Sequence, residues 1–197
     1  MHLVAGPNGA GKSTFISEVL EPTVRLPAIN ADEIARRRWP GDVEAHGHAA
    51  AREAARQRAG YLARRESFIT ETVFSHRSKV ELVEAAIGAG YLVYLHVIMI
   101  PRTLPGLRVE YRVAQGGHSV PAAKLLPRFD RLWPLVGRAA LAADFAIFYD
   151  NSQAKTPFRK VAECQQGLII GDAAWPAWTP GALPVSLSTT TPSEESL

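Results

Sequence analysis

A single cysteine, Cys164, stands in the whole 197-residue sequence, so no disulfide can form within the chain and a reducing compartment suits it. That thiol reads as a small buried hydrophobe. Long apolar runs are missing as well: no stretch approaches the roughly 20 residues needed to span a bilayer, which argues against a membrane-spanning helix. A first strand directly behind Met1 leaves no room for a signal peptide, and the cytoplasm is the expected location. Charge of one sign is also scarce, with a formal net charge of only +3. No basic run is interleaved with aromatics, so no nucleic-acid partner is expected.

Apolar residues make up 47% of the chain and charged ones 21%, the balance of a folded globular protein rather than of a disordered one. The length suits one core. Among the 22 basic residues, seventeen are Arg and five are Lys, which favours planar, bidentate contacts to phosphate, although most of them would simply be solvated.

Short apolar runs alternate with segments of helical period, the pattern of an α/β fold with a mostly parallel sheet covered on both faces. Five strands are expected, at His2–Ala5, Pro27–Asn30, Phe68–Thr70, Leu92–Ile98 and Ala146–Tyr149. Helices are expected at Lys12–Leu20, Val43–Arg65 and Ser78–Ala89. A further helical pattern, Pro121–Gly137, should be broken at Pro127 and Pro134. A terminal hairpin is read from Phe158–Cys164 and Leu168–Ile170, and the domain is expected to end at residue 173. Residues 174–197, rich in Pro, Ser and Thr, read as a mobile tail.

Gly6-Pro7-Asn8-Gly9-Ala10-Gly11-Lys12-Ser13, with Thr14 behind it, follows a strand and opens a helix, as a phosphate-binding P-loop must. Its glycines let backbone N–H groups face phosphate oxygens at a helix N-terminus. Lys12 would reach the outer phosphates of ATP, and the Ser13 hydroxyl would hold Mg²⁺. A glycine-rich turn that fits by accident is the bland alternative.

Ligands of open α/β sheets sit beyond the carboxyl ends of the strands, which singles out Asp32, Glu71 and Asp150. Phosphoryl transfer to an alcohol needs one carboxylate for the hydroxyl proton and commonly another near the metal, roles that Asp32 and Glu71 could fill. Asp32 could also be a helix cap or first-turn acid, and Asp150, next to Asn151 and Ser152, reads as a turn former. Arg108, Arg112, Arg128 and Arg131 bracket Gln115–Pro121, where two glycines and a proline could hinge a lid. They could neutralise transition-state charge or line a solvated helix face.

Gly6–Thr14, Asn30-Ala31-Asp32, Glu71–Ser75, Gly116-Gly117-His118 with Val120-Pro121, and Tyr149–Ser152 together resemble the zeta toxin family of P-loop kinases. The resemblance implies a three-layer P-loop kinase fold with a helical lid. It also implies transfer of the γ-phosphoryl group of ATP to a hydroxyl of UDP-N-acetylglucosamine or a related sugar nucleotide, with an antitoxin protein as partner. A non-toxic kinase of another small metabolite or nucleotide, or an ATPase switch, is the alternative. By the same resemblance Asp32 is the general base, and Lys12 and Ser13 hold ATP and magnesium. Asn30, Glu71, Thr72 and Ser75 face the acceptor, with Glu71 also beside the metal. Arg112, Arg128 and Arg131 are the lid arginines that match. Here Thr72 follows Glu71 directly, where better-known members carry an intervening glycine.

Overall fold

The apolar runs become the strands of one sheet, and the segments of helical period cover its two faces. The computed structural model of the chain describes residues 1–114, 122–183 and 188–189. In chain order the elements are β1 (His2–Ala5), α1 (Lys12–Phe15), a π-helical turn at Ile16–Leu20, α2 (Glu21–Val24), β2 (Ala28–Ile29), α3 (Ala31–Arg38), α4 (Gly47–Arg64) and β3 (Ile69–Thr72). There follow α5 (Ser78–Gly88), β4 (Tyr94–Met99), α6 (Leu104–Ala114), α7 (Ala122–Ala142), β5 (Phe145–Asp150), β6 (Arg159–Gln165), β7 (Leu168–Ile169) and β8 (Ser188–Thr189).

The strand order is β2-β3-β1-β4-β5-β6-β7-β8. The first five are parallel, as expected from the helices between them, and β6 and β7 add an antiparallel hairpin at one edge. This order puts the P-loop strand β1 at the centre, with β3 on one side and β4 on the other. The carboxyl end of β3 therefore lies directly beside the loop.

Alternation along the strands divides the core. Leu3, Ala5, Leu95, Val97 and Met99 pack with Val83 and Ala86 of α5 and with Leu132 and Val136 of α7. Val4, Ile69, Ile98 and Ile100 face Phe15, Ile16 and Leu20 on the other side. Both faces being covered explains why the strands read as nearly continuous apolar runs. Cys164 is free and fully buried, and burial pushes its thiol up to about 11.

Three expectations change. Helix α7 runs unbroken through Pro127 and Pro134. Each proline removes one N–H and crowds a carbonyl, but burial of Leu125, Phe129, Leu132, Trp133, Val136, Ala139 and Ala140 along the helix outweighs that cost. The expected tail is no tail over residues 174–183: Trp175 packs edge-to-face on Phe148 at 5.1 Å, Leu183 is fully buried, and the Ala174 N–H donates to the Val161 carbonyl. Proline-rich composition hid apolar anchors spaced too irregularly to show a period. The helix expected from Val43 starts at Gly47, because the Trp39 ring stacks on His46 over a turn closed by Asp42 N–H to Trp39 O.

A stacked histidine pair, His96 buried and His2 half-buried, sits in the sheet. His2 and His96 stack at 5.4 Å with Nδ1 and Nε2 3.1 Å apart, among Phe15, Tyr94 and Tyr149. Burial pulls His96 down to about 3 and His2 to about 4, from the ordinary 6.5. Both imidazoles are neutral in the folded state, whereas the unfolded chain takes up protons below pH 6.5. Stability is therefore undiminished above that value and falls with pH toward the folded values. Thermal melts should show Tm dropping between pH 7 and pH 4, a loss on the order of a few kcal/mol. The drop should shrink in His96→Gln, and an equal drop in that variant would place the acid sensitivity elsewhere.

Candidate active site

The P-loop leaves β1 where only glycine fits. A Cβ on Gly6 would lie 2.4 Å from the Ile98 carbonyl oxygen of the neighbouring strand, and Gly11 sits at φ +89, where a Cβ would meet Asn151 Nδ2 at 2.7 Å. Asn151 braces the loop, donating from Nδ2 to the Ala10 carbonyl at 2.8 Å and accepting at Oδ1 from the Phe158 N–H at 3.3 Å. Arg108 braces it from α6, donating to the carbonyls of Gly9 at 3.2 Å and Asn151 at 2.8 Å.

Glu71, at the end of β3, joins the loop to Asn30 at the start of α3. Its Oε2 accepts from Ser13 Oγ at 2.8 Å and from Asn30 Nδ2 at 2.7 Å, and its Oε1 lies 3.7 Å from Lys12 Nζ. Lys12 Nζ also donates to the Pro7 carbonyl at 3.0 Å. The Ser13 hydroxyl and the Glu71 carboxylate are hard oxygens set next to each other, the donor type that magnesium prefers. Among the described residues no cluster of three or more His, Cys, Asp or Glu forms a cage. A magnesium ion held there would rely on water and phosphate for most of its oxygen ligands.

Asn30 has two roles. While Nδ2 holds Glu71, its Oδ1 accepts from the N–H groups of Asp32 at 2.8 Å and Glu33 at 3.4 Å, which makes Asn30 the cap of α3. The capping alternative for Asp32 therefore falls to its neighbour. Asp32 occupies the first turn, and its exposed carboxylate has no hydrogen-bond or ion partner among the described residues. After β3 the chain turns sharply: the Phe74 N–H donates to Thr72 Oγ1 at 3.2 Å, and Phe74, fully buried, adopts φ +63.

These parts open on one cleft of about 720 Å³ at the carboxyl ends of β1 and β3. Its lining brings together Asn8, Gly9, Gly11, Lys12, Ser13, Thr14, Asn30, Asp32, Glu71, Thr72, Ser75 and Arg128 from the sequence reading. Gly6, Pro7 and Ala10 shape the loop without lining the cleft. Arg131 is exposed and is not among the residues that line the cleft. The Arg112 side chain and residues 115–121 lie outside the described residues. Asp150 is a turn former: Oδ1 accepts from the Ser152 N–H at 2.8 Å and Oδ2 from Arg159 at 2.9 Å. A concavity of about 500 Å³, lined by Met1, His2, Gly90 and Tyr94 among others, lies away from the loop.

Sequence reasoning missed Arg36, Arg58 and Lys79 as cleft residues, and Asn151 as the loop brace. Arg58 had a legible signal: it continues the stripe Ala50, Ala54 at intervals of four, the buried face of α4.

Sheet order, glycine-bound loop and the Lys12–Glu71–Ser13 cluster define a P-loop kinase-like α/β fold. The chain belongs to the family described as an AAA domain, which matches residues 1–131. No curated protein matches it. Similar solved structures include a putative kinase from Chloroflexus aurantiacus, 20% identical over 64% of this chain and 73% of that one, with a TM-score of 0.51. The AvrRxo1-ORF1:-ORF2 complex with ATP is 15% identical over 84% of this chain, with a TM-score of 0.64. A structure of the PezAT chromosomal toxin-antitoxin system of Streptococcus pneumoniae is 13% identical over 81% of this chain and 71% of that one, with a TM-score of 0.56. The chain spans 58% of the length of the AvrRxo1 chain it matches. At these identities the likeness is one of fold.

Proposed function

We propose that the protein is an ATP-dependent kinase that transfers the γ-phosphoryl group to a hydroxyl of a small molecule, of which UDP-N-acetylglucosamine or a related sugar nucleotide is the candidate. The observation that carries this reading is the Asp32 carboxylate, without a partner among the described residues, in the same cleft as Lys12, Ser13 and Glu71, with Asn30 tying the two halves together. The kinase and toxin-antitoxin relatives in fold agree with it, and by the same likeness an antitoxin protein is a candidate partner.

Asp32 takes the proton of the acceptor hydroxyl as its oxygen bonds to the γ-phosphorus, and the bond from that phosphorus to the β–γ bridging oxygen breaks to release ADP. Lys12 stabilises charge on the outer phosphates, and Arg128 that on the moving group. Glu71, Asn30, Thr72 and Ser75 border the acceptor. Magnesium, held through Ser13 and Glu71 when bound, supplies charge neutralisation at the β- and γ-phosphates.

The test is incubation with labelled ATP, magnesium and a panel of sugar nucleotides, followed by mass analysis. One product should gain a single phosphoryl group, while free phosphate alone would refute the sugar-nucleotide acceptor. Replacing Arg128 by alanine should lower kcat by about 10²-fold or more with less than about threefold change in ATP affinity, as for a group that acts on the transition state. Equal losses in binding and turnover would make it a ground-state phosphate ligand instead.

A further inference from the structure

The cleft lining is strongly one-sided in charge. Lys12, Arg36, Arg58, Lys79, Arg108 and Arg128 face only Asp32 and Glu71. Most of these cations are engaged: Lys12 with Glu71, Arg108 with two carbonyls at the loop, and Arg36 with Glu33 at 3.1 Å. Arg58 and Lys79 differ. Neither side chain has a hydrogen-bond or ion partner among the described residues, although Arg58 is only 8% exposed and Lys79 is half-buried.

Burial lowers the pKa of both, and for Lys79 the nearby Arg58 adds to the effect, so the two cations feel each other. An unpaired buried charge is costly, and a like-charged neighbour makes it more so. The P-loop does not account for them. Arg58 comes from α4, which packs on α3, and Lys79 from the first turn of α5, and both line the cleft together with Asp32.

We infer that Arg58 and Lys79 form an anion subsite, so that the molecule bound beside Asp32 carries a phosphate or carboxylate group in addition to its reacting hydroxyl. As an acceptor, that molecule presupposes the kinase chemistry proposed above; as a bound anion it does not. The guanidinium fork grips two oxygens of the anion, and the ammonium adds a third contact. Together they fix the distance from the charged group to the hydroxyl at Asp32.

Inorganic phosphate is the probe. Titrated calorimetrically into the protein saturated with magnesium and a non-hydrolysable ATP analogue, it should bind the wild type and bind Arg58→Gln and Lys79→Gln about tenfold or more weakly. The affinity for the analogue should hold in both variants. Lys79→Gln, at a half-buried position, covers the case in which Arg58→Gln does not fold. Absence of phosphate binding to the wild type, unchanged binding in the folded variants, or binding lost only in Lys12→Ala would overturn the subsite. Alcohols paired with their phosphate esters and with the corresponding carboxylates then separate the two anion sources. The favoured ester or acid should show a lower KM than the neutral alcohol, and Arg58→Gln should erase that difference. If no acceptor gains a phosphoryl group while phosphate binding still depends on Arg58, the kinase reading falls and the subsite stands.

Discussion

Replacing Lys12 by alanine should lower phosphoryl transfer by about three powers of ten or more, the scale of losing a cation that acts on the transferring phosphoryl group. Two effects combine. The ammonium that reaches the outer phosphates disappears, and Glu71, whose side chain is only 10% exposed, is left without the cation 3.7 Å away. At that separation the pair attracts by about 4 kcal/mol at an effective dielectric near 20, before desolvation is subtracted. The lone carboxylate would then also repel incoming phosphate.

The double variant Lys12→Ala/Glu71→Gln separates the effects. Its Tm should return toward wild type because the unpaired buried charge is gone, while transfer stays lost because no cation has been restored. Recovery of transfer in the double variant would mean that Lys12 serves only to neutralise Glu71. Near-normal transfer in the single variant would remove the nucleotide site altogether.

The loop was legible because its constraints are local: Gly6 and Gly11 are dictated by a carbonyl and an amide that would occupy the place of a Cβ, and such positions show in sequence as glycine. Glu71 was legible for a related reason, since a parallel strand that ends beside the loop strand has few polar residues to offer. The rest of the cleft was less legible. Arg58 enters the cleft through the packing of α4 on α3, and Asn151 reaches Ala10 across 141 residues of chain. Neither contact leaves a local trace beyond the Ala50–Ala54–Arg58 stripe. The prolines of α7 misled for the complementary reason, because the local breaking rule yielded to tertiary burial of one helix face. Trp175 and Leu183 belong to the same class: burial depends on where the chain has already been carried.

Asp32→Asn is the sharpest test of the chemistry, because the structure gives the cap of α3 to Asn30 and leaves Asp32 only the part of a first-turn acid as the competing explanation. If Asp32 capped α3, asparagine would replace it with little loss. Asn30 is the cap, accepting from the N–H groups of Asp32 and Glu33, so the Asp32 side chain has no such duty. What remains structurally is a first-turn acid near the positive end of a helix, worth about 0.3–1 kcal/mol. The melting temperature of Asp32→Asn should therefore move little, and the affinity for ATP should hold, because Lys12, Ser13 and the loop are untouched. Phosphoryl transfer should still fall by about two to four powers of ten, because the amide cannot accept the hydroxyl proton. Slow hydrolysis of ATP by water should fall less, since water needs no positioned acceptor site beside α3. A stable, ATP-binding variant that transfers at the wild-type rate would return Asp32 to the helix dipole and leave the cleft without a base. A variant that loses ATP affinity in step with transfer would place the carboxylate on the nucleotide side, and the division of the cleft at Asn30 would be wrong.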